Sequence, residues 1–392
     1  MTTRKLFYEA CHMRSFSATV TGCTPTEKGF FVTLDATAFY PEGGGQACDL
    51  GTLGDASVLA VTEKEDEIFH LCDKALAVGE TVSGVLNWQR RFDLMQQHTG
   101  EHIVSGIVHQ LLGGHNVGFH VGTDTVTIDF DVPVPPEKLP EIEELANQAV
   151  FQNLPVNCHV PNRETLPKCA YRSKRELPWP VRLVEIPGYD TCACCGVHVA
   201  FTGEIGIIKL LSCCKFHAGV RIEMVCGARA LKLLSEIFEQ NRQVSQAFSA
   251  KILETGAAAR KMNDALAAEK FHATRLEKQL FAAIGEGFSQ QDNVLYFAEG
   301  LEPASVRNLA DAISQNCLGI AAVFSGNDEN GYQLCLANKG GDVHQAGKAL
   351  ADALNGRGGG KPGFFQGSVH ASKEQIVVFF RKSLSGDYFE KL

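Results

Sequence analysis

The sequence predicts a multidomain α+β protein: an N-terminal β-barrel, an α+β domain, a helical arm and a C-terminal α/β domain. Three observations lead there. The 392 residues exceed what one ordinary core holds. Near residue 91 the apolar pattern turns from strand-like alternation to helical spacing, and a run of about sixty residues rich in Ala, Leu, Glu and Lys separates two mixed segments. With 45% hydrophobic and 21% charged residues there is material for packed cores. No apolar run reaches spanning length, and the first residues lack the apolar stretch of a signal peptide. A net charge of -9 excludes a protein that coats nucleic acid by bulk positive charge, while leaving room for a local basic patch. The fourteen cysteines, irregularly spaced, fit free thiols in a reducing cytosol.

Residues 1–90 hold "GFFVTLDATAFY", "DASVLAVTEKEDEIFHLC" and "ETVSGVLNW", strand-length segments between Gly, Asp and Pro signals, which predict the barrel. In "RRFDLMQQHTGEHIVSGIVHQLL", Phe92, Met95, Ile103, Ile107 and Leu111 fall close to helical spacing, and Gly113-Gly114 supplies a C-cap. "TVTIDFDV" reads as a strand, "PPEKLPEIEELANQAVFQN" as a helix opened by prolines and acids, and "VRLVEIPG", "EIGIIKLLSCCKF" and "GVRIEMVCG" as strands. Together residues 91–226 make the α+β domain. Residues 227–287 predict long helices in a hairpin or coiled-coil arm, interrupted early only at Gly256. From 288 to 392, "NVLYFAEG", "GIAAVFSG", "YQLCLAN" and "QIVVFFR" read as strands, "PASVRNLADAISQN" and "VHQAGKALADALNG" as helices, and "GRGGGKPGFFQGS" as a glycine loop.

Chemistry concentrates in two places. His98 and His102 stand i and i+4 on one helix, so both imidazoles can bite one metal ion. With Glu101 between them the pattern also matches inverted zinc peptidases, where the glutamate is the general base. Far downstream, "TCACCGVHVAFTGEIG" places Cys194 and His198 four apart, beside Cys192 and Cys195. Three imidazoles and one thiolate make a sensible tetrahedral zinc site. A thiol in that set disfavours the peptidase and leaves Glu101 as a polar helix residue, or as a partner orienting a ligand histidine. His115 and His120, just after the helix, are further candidates for the pocket wall.

"QHTGEHI" and "CCGVHVAFTGEIG" resemble the two zinc motifs of the alanyl-tRNA synthetase editing domain and its relatives, the AlaX proteins. "LDATAFYPEGGGQACDLG" resembles the glycine-rich barrel motif that precedes them. "GVRIEMVCGARAL" is similar to the exit from the editing domain, and "GRGGGKPGFFQGS" to the glycine motif of the DHH-associated domain. These motifs occur in order over nearly the whole chain, which resembles the long form of AlaX, expected to lack an aminoacylation module. Where the synthetase has Cys-Gly-Gly-Thr-His, this chain has Cys194-Cys195-Gly196-Val197-His198, so Cys195 or Cys192 is an alternate sulfur ligand.

The resemblance implies zinc-dependent hydrolysis of the ester joining a wrong amino acid, serine or glycine, to tRNA-Ala. It implies His98, His102, Cys194 and His198 as the metal ligands and Gln46 as a substrate-orienting residue beside Gly43-Gly44-Gly45. Thr37 or a neighbouring threonine is the candidate for bonding a seryl hydroxyl, which would reject alanine. For the tRNA, "YRSKRELPWPVR" groups Arg172, Lys174, Arg175 and Arg182 with Tyr171 and Trp179, suited to phosphate contact and stacking. Arg357 and Lys361, among glycines, suit a phosphate cradle built from backbone N–H groups. The helical arm or terminal domain is the expected homodimer seam. Two other readings stand beside this one: a tRNA-binding module with a structural zinc, and the metallopeptidase. A DHH phosphoesterase is excluded, because the chain has no Asp-His-His motif.

Overall fold

Alternating burial builds the first sheet. Along Ala56–Lys64 and Thr81–Leu86 the inward positions carry Ala56, Val58 and Val61, and Val82, Gly84 and Leu86. Six strands, Ser15–Thr26 (β1), Gly29–Leu34 (β2), Gly51–Leu53 (β3), Ala56–Lys64 (β4), Glu67–Cys72 (β5) and Thr81–Leu86 (β6), close into a barrel. The order is β1-β2-β5-β4-β3-β6, every neighbour antiparallel. The β4–β5 hairpin turns on Glu65 and Asp66 at φ 51° and 62°, the left-handed pair that matches strand twist in a two-residue turn. The twelve residues of β1 were not singled out by the sequence pattern, because Ser, Thr and Gly dilute its apolar positions.

This computed structural model describes residues 2–173, 177 and 179–383, and divides into two units, Met1–Gln243 and Val244–Leu392. In the first unit the barrel hands over to α1 (Trp88–Leu112). The Asn87 side chain caps it by accepting from the Arg90 amide at 3.1 Å, and Gly113 at φ 68° ends it. From Leu94 to Val108 the helix is buried on all sides, so it is the axle of the unit. Around it lie Asn116–Val121 (β7), Val126–Phe130 (β8), Leu139–Gln152 (α2), Asn157–His159 (β9), Leu183–Ile186 (β10), Asp190–Ala193 (β11), Ile208–Phe216 (β12) and Gly219–Cys226 (β13). They form an antiparallel sheet β12-β13-β8-β7 and a smaller one, β9-β10-β11. One continuous core joins Val32 and Leu53 of the barrel to Met95 and Ile107 of α1 and to Ile128 and Ile222 of the sheet.

Two long helices follow, Gly227–Ala247 (α3) and Thr255–Glu286 (α4). The interruption falls at 248–254, where Ser249 takes φ 49°, rather than at Gly256, which lies inside the first turn of α4. The second unit continues with Val294–Ala298 (β14), Pro303–Ser314 (α5), Ala321–Asn327 (β15), Gly331–Ala337 (β16), His344–Ala353 (α6), Gly356–Lys361 (β17), Phe364–Val369 (β18) and Lys373–Ser383 (α7). Its sheet runs β14-β15-β16-β18-β17.

Two expectations are corrected here. "QIVVFFR" is helix, not strand: Ser372 and Gln375 exchange side-chain-to-amide hydrogen bonds in a capping box, and Ile376 and Phe380, four apart, face the core. The glycine loop is a hairpin, in which β17 pairs with β18 from Gly356↔Val369 to Lys361↔Phe364. Its glycines serve close strand approach, so the expected loop is a paired strand at the edge of the sheet. No helix among the described residues is long and apolar enough to cross a membrane.

Candidate metal centre

The site assembles where α1 meets the loop after β11. A Cβ on Gly106 would stand 2.3 Å from the Tyr189 carbonyl, so glycine lets Asp190 and its strand come in against the helix. The loop beyond β11 is held by Arg182, whose Nη1 donates to the Cys194 and Gly196 carbonyls at 2.8 and 2.9 Å while its guanidinium covers the Tyr8 ring. In this way His98, His102, Cys194 and His198 are brought together, with one donor atom from each within 4.8 Å of the others. The Cys194 sulfur is 3.4 Å from His98 Nε2 and 3.5 Å from His198 Nε2. A tetrahedral ion with bonds of about 2.0–2.3 Å sets its donors roughly 3.3–3.8 Å apart, so the thiol and imidazole set fits zinc in both spacing and chemistry.

Each imidazole is oriented by a partner on its other nitrogen. His98 Nδ1–H donates to Gln46 Oε1 at 2.7 Å, His102 Nδ1–H to Asp190 Oδ2 at 2.9 Å, and His198 Nδ1–H to Thr99 Oγ1 at 3.2 Å. The three Nε2 atoms are thereby left as the metal-facing donors. Burial raises the Cys194 thiol, but the surrounding imidazoles outweigh it and hold its pKa well below the usual range. Burial, reinforced by the charge of His98, depresses His198 to about 3. Burial works against charge on His102 as well, yet its hydrogen bond to Asp190 prevails and its pKa is raised.

Gln46 reaches the centre on a tight turn in which Gly43 and Gln46 exchange amide–carbonyl bonds, with Gly44 and Gly45 at φ 60° and 83°. Its Nε2 is buried without a partner among the described residues. Gly196 closes the other side. A Cβ there would lie 2.2 Å from His98 Cε1 and 3.2 Å from Gln46 Oε1. Gly196→Ala should therefore displace the His98 ring and weaken metal retention about 10–100-fold, measured by competition with a chelator, the range found when a ligand's orientation is lost.

Other expectations change. Thr37 is fully buried, its hydroxyl bonded to His70 Nε2 at 2.9 Å and accepting from the Phe39 amide, so it is committed inside the barrel. The threonine set against the cluster is Thr99. Of the alternate sulfurs, Cys195 turns toward Tyr40, and Cys192 groups with His102 and Asp190 behind the ligands. Glu101 orients no ligand; it is buried and accepts from Ser105 and Asn116. Arg172 and Arg182 turn toward the site, the first onto Asp190 and the second onto the ligand loop. Lys174 and Arg175 lie outside the described residues. Arg357 and Lys361 are exposed along β17. His115 pairs with Asp131 at the surface, and His120 is exposed. Asp190 and Thr99 were missed, although Asp190 stands four residues before Cys194, on the inward phase of its strand.

The model of the threonyl and alanyl tRNA synthetase second additional domain matches residues 181–223, and that of the DHHA1 domain residues 291–384. The alanine–tRNA ligase of Thermofilum pendens is 32% identical over 96% of this chain and 43% of its own length. The alanyl-tRNA editing protein Aarsd1-A of Xenopus laevis is 28% identical over 96% of this chain and 94% of its own. Aarsd1 of Mus musculus is 29% identical over 91% and 92%. The chain thus spans less than half of the ligases it matches. It carries the tRNA_SAD and DHHA1 domains and is a homologue of the alanyl-tRNA editing proteins and of alanine–tRNA ligase.

Proposed function

We propose that this chain is a zinc-dependent trans-editing hydrolase that deacylates mischarged tRNA-Ala, with a seryl or glycyl ester, or both, as substrate. The convergence of His98, His102, Cys194 and His198 carries the reading, and the names of its homologues supply the substrate class. An aminoacyl ester is already activated, and a zinc held by these four residues would add Lewis acidity at its carbonyl or at a water. The chain's own groups then have limited tasks. Gln46 keeps His98 in line through Oε1, and its unpartnered Nε2–H is a donor for an ester oxygen. Free thiols throughout the chain are in keeping with action in the cytosol.

A structural zinc in a tRNA-binding module is the second reading, favoured by four protein ligands, which close a tetrahedral ion. A deacylation panel of Ser-, Gly- and Ala-charged tRNA-Ala, with metal content measured on the same sample, separates the two. Release of serine or glycine with alanine spared supports the hydrolase. A loaded protein that binds tRNA and releases nothing sinks it. For the tRNA, Arg357 and Lys361 are the exposed cations proposed as phosphate contacts. Replacing both by alanine should lower affinity and reduce the slope of log affinity against log salt by about one to two, measured by filter binding.

A further inference from the structure

We propose that Arg172 is a positioning residue for the metal centre, acting on His102 through Asp190, and not a contact for nucleic acid; the inference rests on the metal reading above. Arg172 is stitched to the strand that carries Asp190. Its amide donates to the Thr191 carbonyl at 2.8 Å, and its carbonyl accepts from the Ala193 amide at 2.9 Å. With its backbone so held, the guanidinium makes a fork: Nε donates to Asp190 Oδ1 at 2.7 Å and Nη2 to Oδ2 at 2.9 Å. Only 13% of the Arg172 side chain and 2% of that of Asp190 is exposed. The same Oδ2 accepts the His102 Nδ1–H at 2.9 Å.

The three residues form a chain, cation to carboxylate to imidazole, that ends on a ligand. A buried carboxylate whose cation is removed is strongly destabilised in place. Without Arg172, Asp190 has no reason to keep both oxygens where they are, and His102 loses the acceptor that fixes its ring. Lysine restores the charge but not the planar fork, so it restores only part of the effect. The fork to Asp190 takes Nε and Nη2, which leaves for a tRNA phosphate only the remaining N–H groups of a side chain that is 13% exposed.

The test uses the full chain with Arg172→Ala and Arg172→Lys. Zinc affinity is read by chelator competition, the thiolate-to-metal band by cobalt(II) substitution, and tRNA-Ala affinity by filter binding. Arg172→Ala is expected to weaken zinc binding about 10–100-fold, as loss of an outer partner does, with Arg172→Lys intermediate and tRNA affinity within about twofold of the parent. Unchanged zinc affinity in Arg172→Ala overturns the proposal, whether or not tRNA binding falls. If circular dichroism shows that the alanine variant does not fold, the lysine variant decides: an altered cobalt band supports the proposal and an unaltered one overturns it. A parent chain that binds no zinc sinks the metal reading itself, which is a different result from a parent that binds and a variant that binds equally.

Discussion

Under the proposed function, Cys194→Ser is expected to abolish zinc retention and to lower deacylation of Ser-tRNA-Ala by on the order of three powers of ten, with the far-ultraviolet spectrum that of the parent. The expected size follows from the chemistry. A Lewis acid at a reacting carbonyl supplies several kcal/mol of transition-state stabilisation, and each 1.36 kcal/mol is about a factor of ten. The thiolate is the one anionic donor in the set. A hydroxyl in its place is a far poorer zinc ligand, and three imidazoles remain without the negative charge that held them together. The measurement is zinc per chain by atomic emission beside single-turnover deacylation. Parent-like turnover in a metal-free variant would overturn the zinc mechanism.

The second large effect is on stability and lies away from the metal. Arg91 is fully buried, and its Nε donates to both oxygens of Asp49 at 2.9 Å while Nη2 donates to Asp49 and to the Ala38 carbonyl. Asp49 also accepts the Tyr40 amide at 2.6 Å. The pair braces the segment between residues 38 and 49, which includes Gln46, against α1. Arg91→Met leaves Asp49 as a buried anion without a cation and should lower stability by about 3–5 kcal/mol. Replacing Asp49 as well, with Asn, should recover part of the loss, because the uncompensated charge goes with it. Both tryptophans, Trp88 and Trp179, lie in the first unit, so fluorescence during urea unfolding reports on that unit alone. A shift of less than about 1 kcal/mol in the single variant would mean that the pair contributes little net stability.

The ligands were legible because their chemistry needs fixed spacing along single elements. His98 and His102 share a helical face, and the glycine pair at 113–114 marks where their helix stops. The outer partners were not legible. Nothing in one-dimensional spacing says that the strand with Asp190 lies under Gly106, or that Thr99 turns toward a loop a hundred residues away. Arg172 and Arg182 sit in a run that looks like a solvated basic patch, and composition does not encode the direction in which a guanidinium points. The stretch "QIVVFFR" misled for a related reason: a short apolar run suits a strand or a buried helix equally, and the Ser372 and Gln375 cap that decides between them lies outside it.

The continuous core of the first unit bears on how its pocket meets a substrate. The barrel and the helix that carries His98 share one apolar core, and the Gln46–His98 hydrogen bond ties the glycine turn to that helix. The amide–imidazole contact is part of the folded chain itself. Under the proposed function, side-chain exchanges within this packed frame are a route to changing which amino acid is accepted.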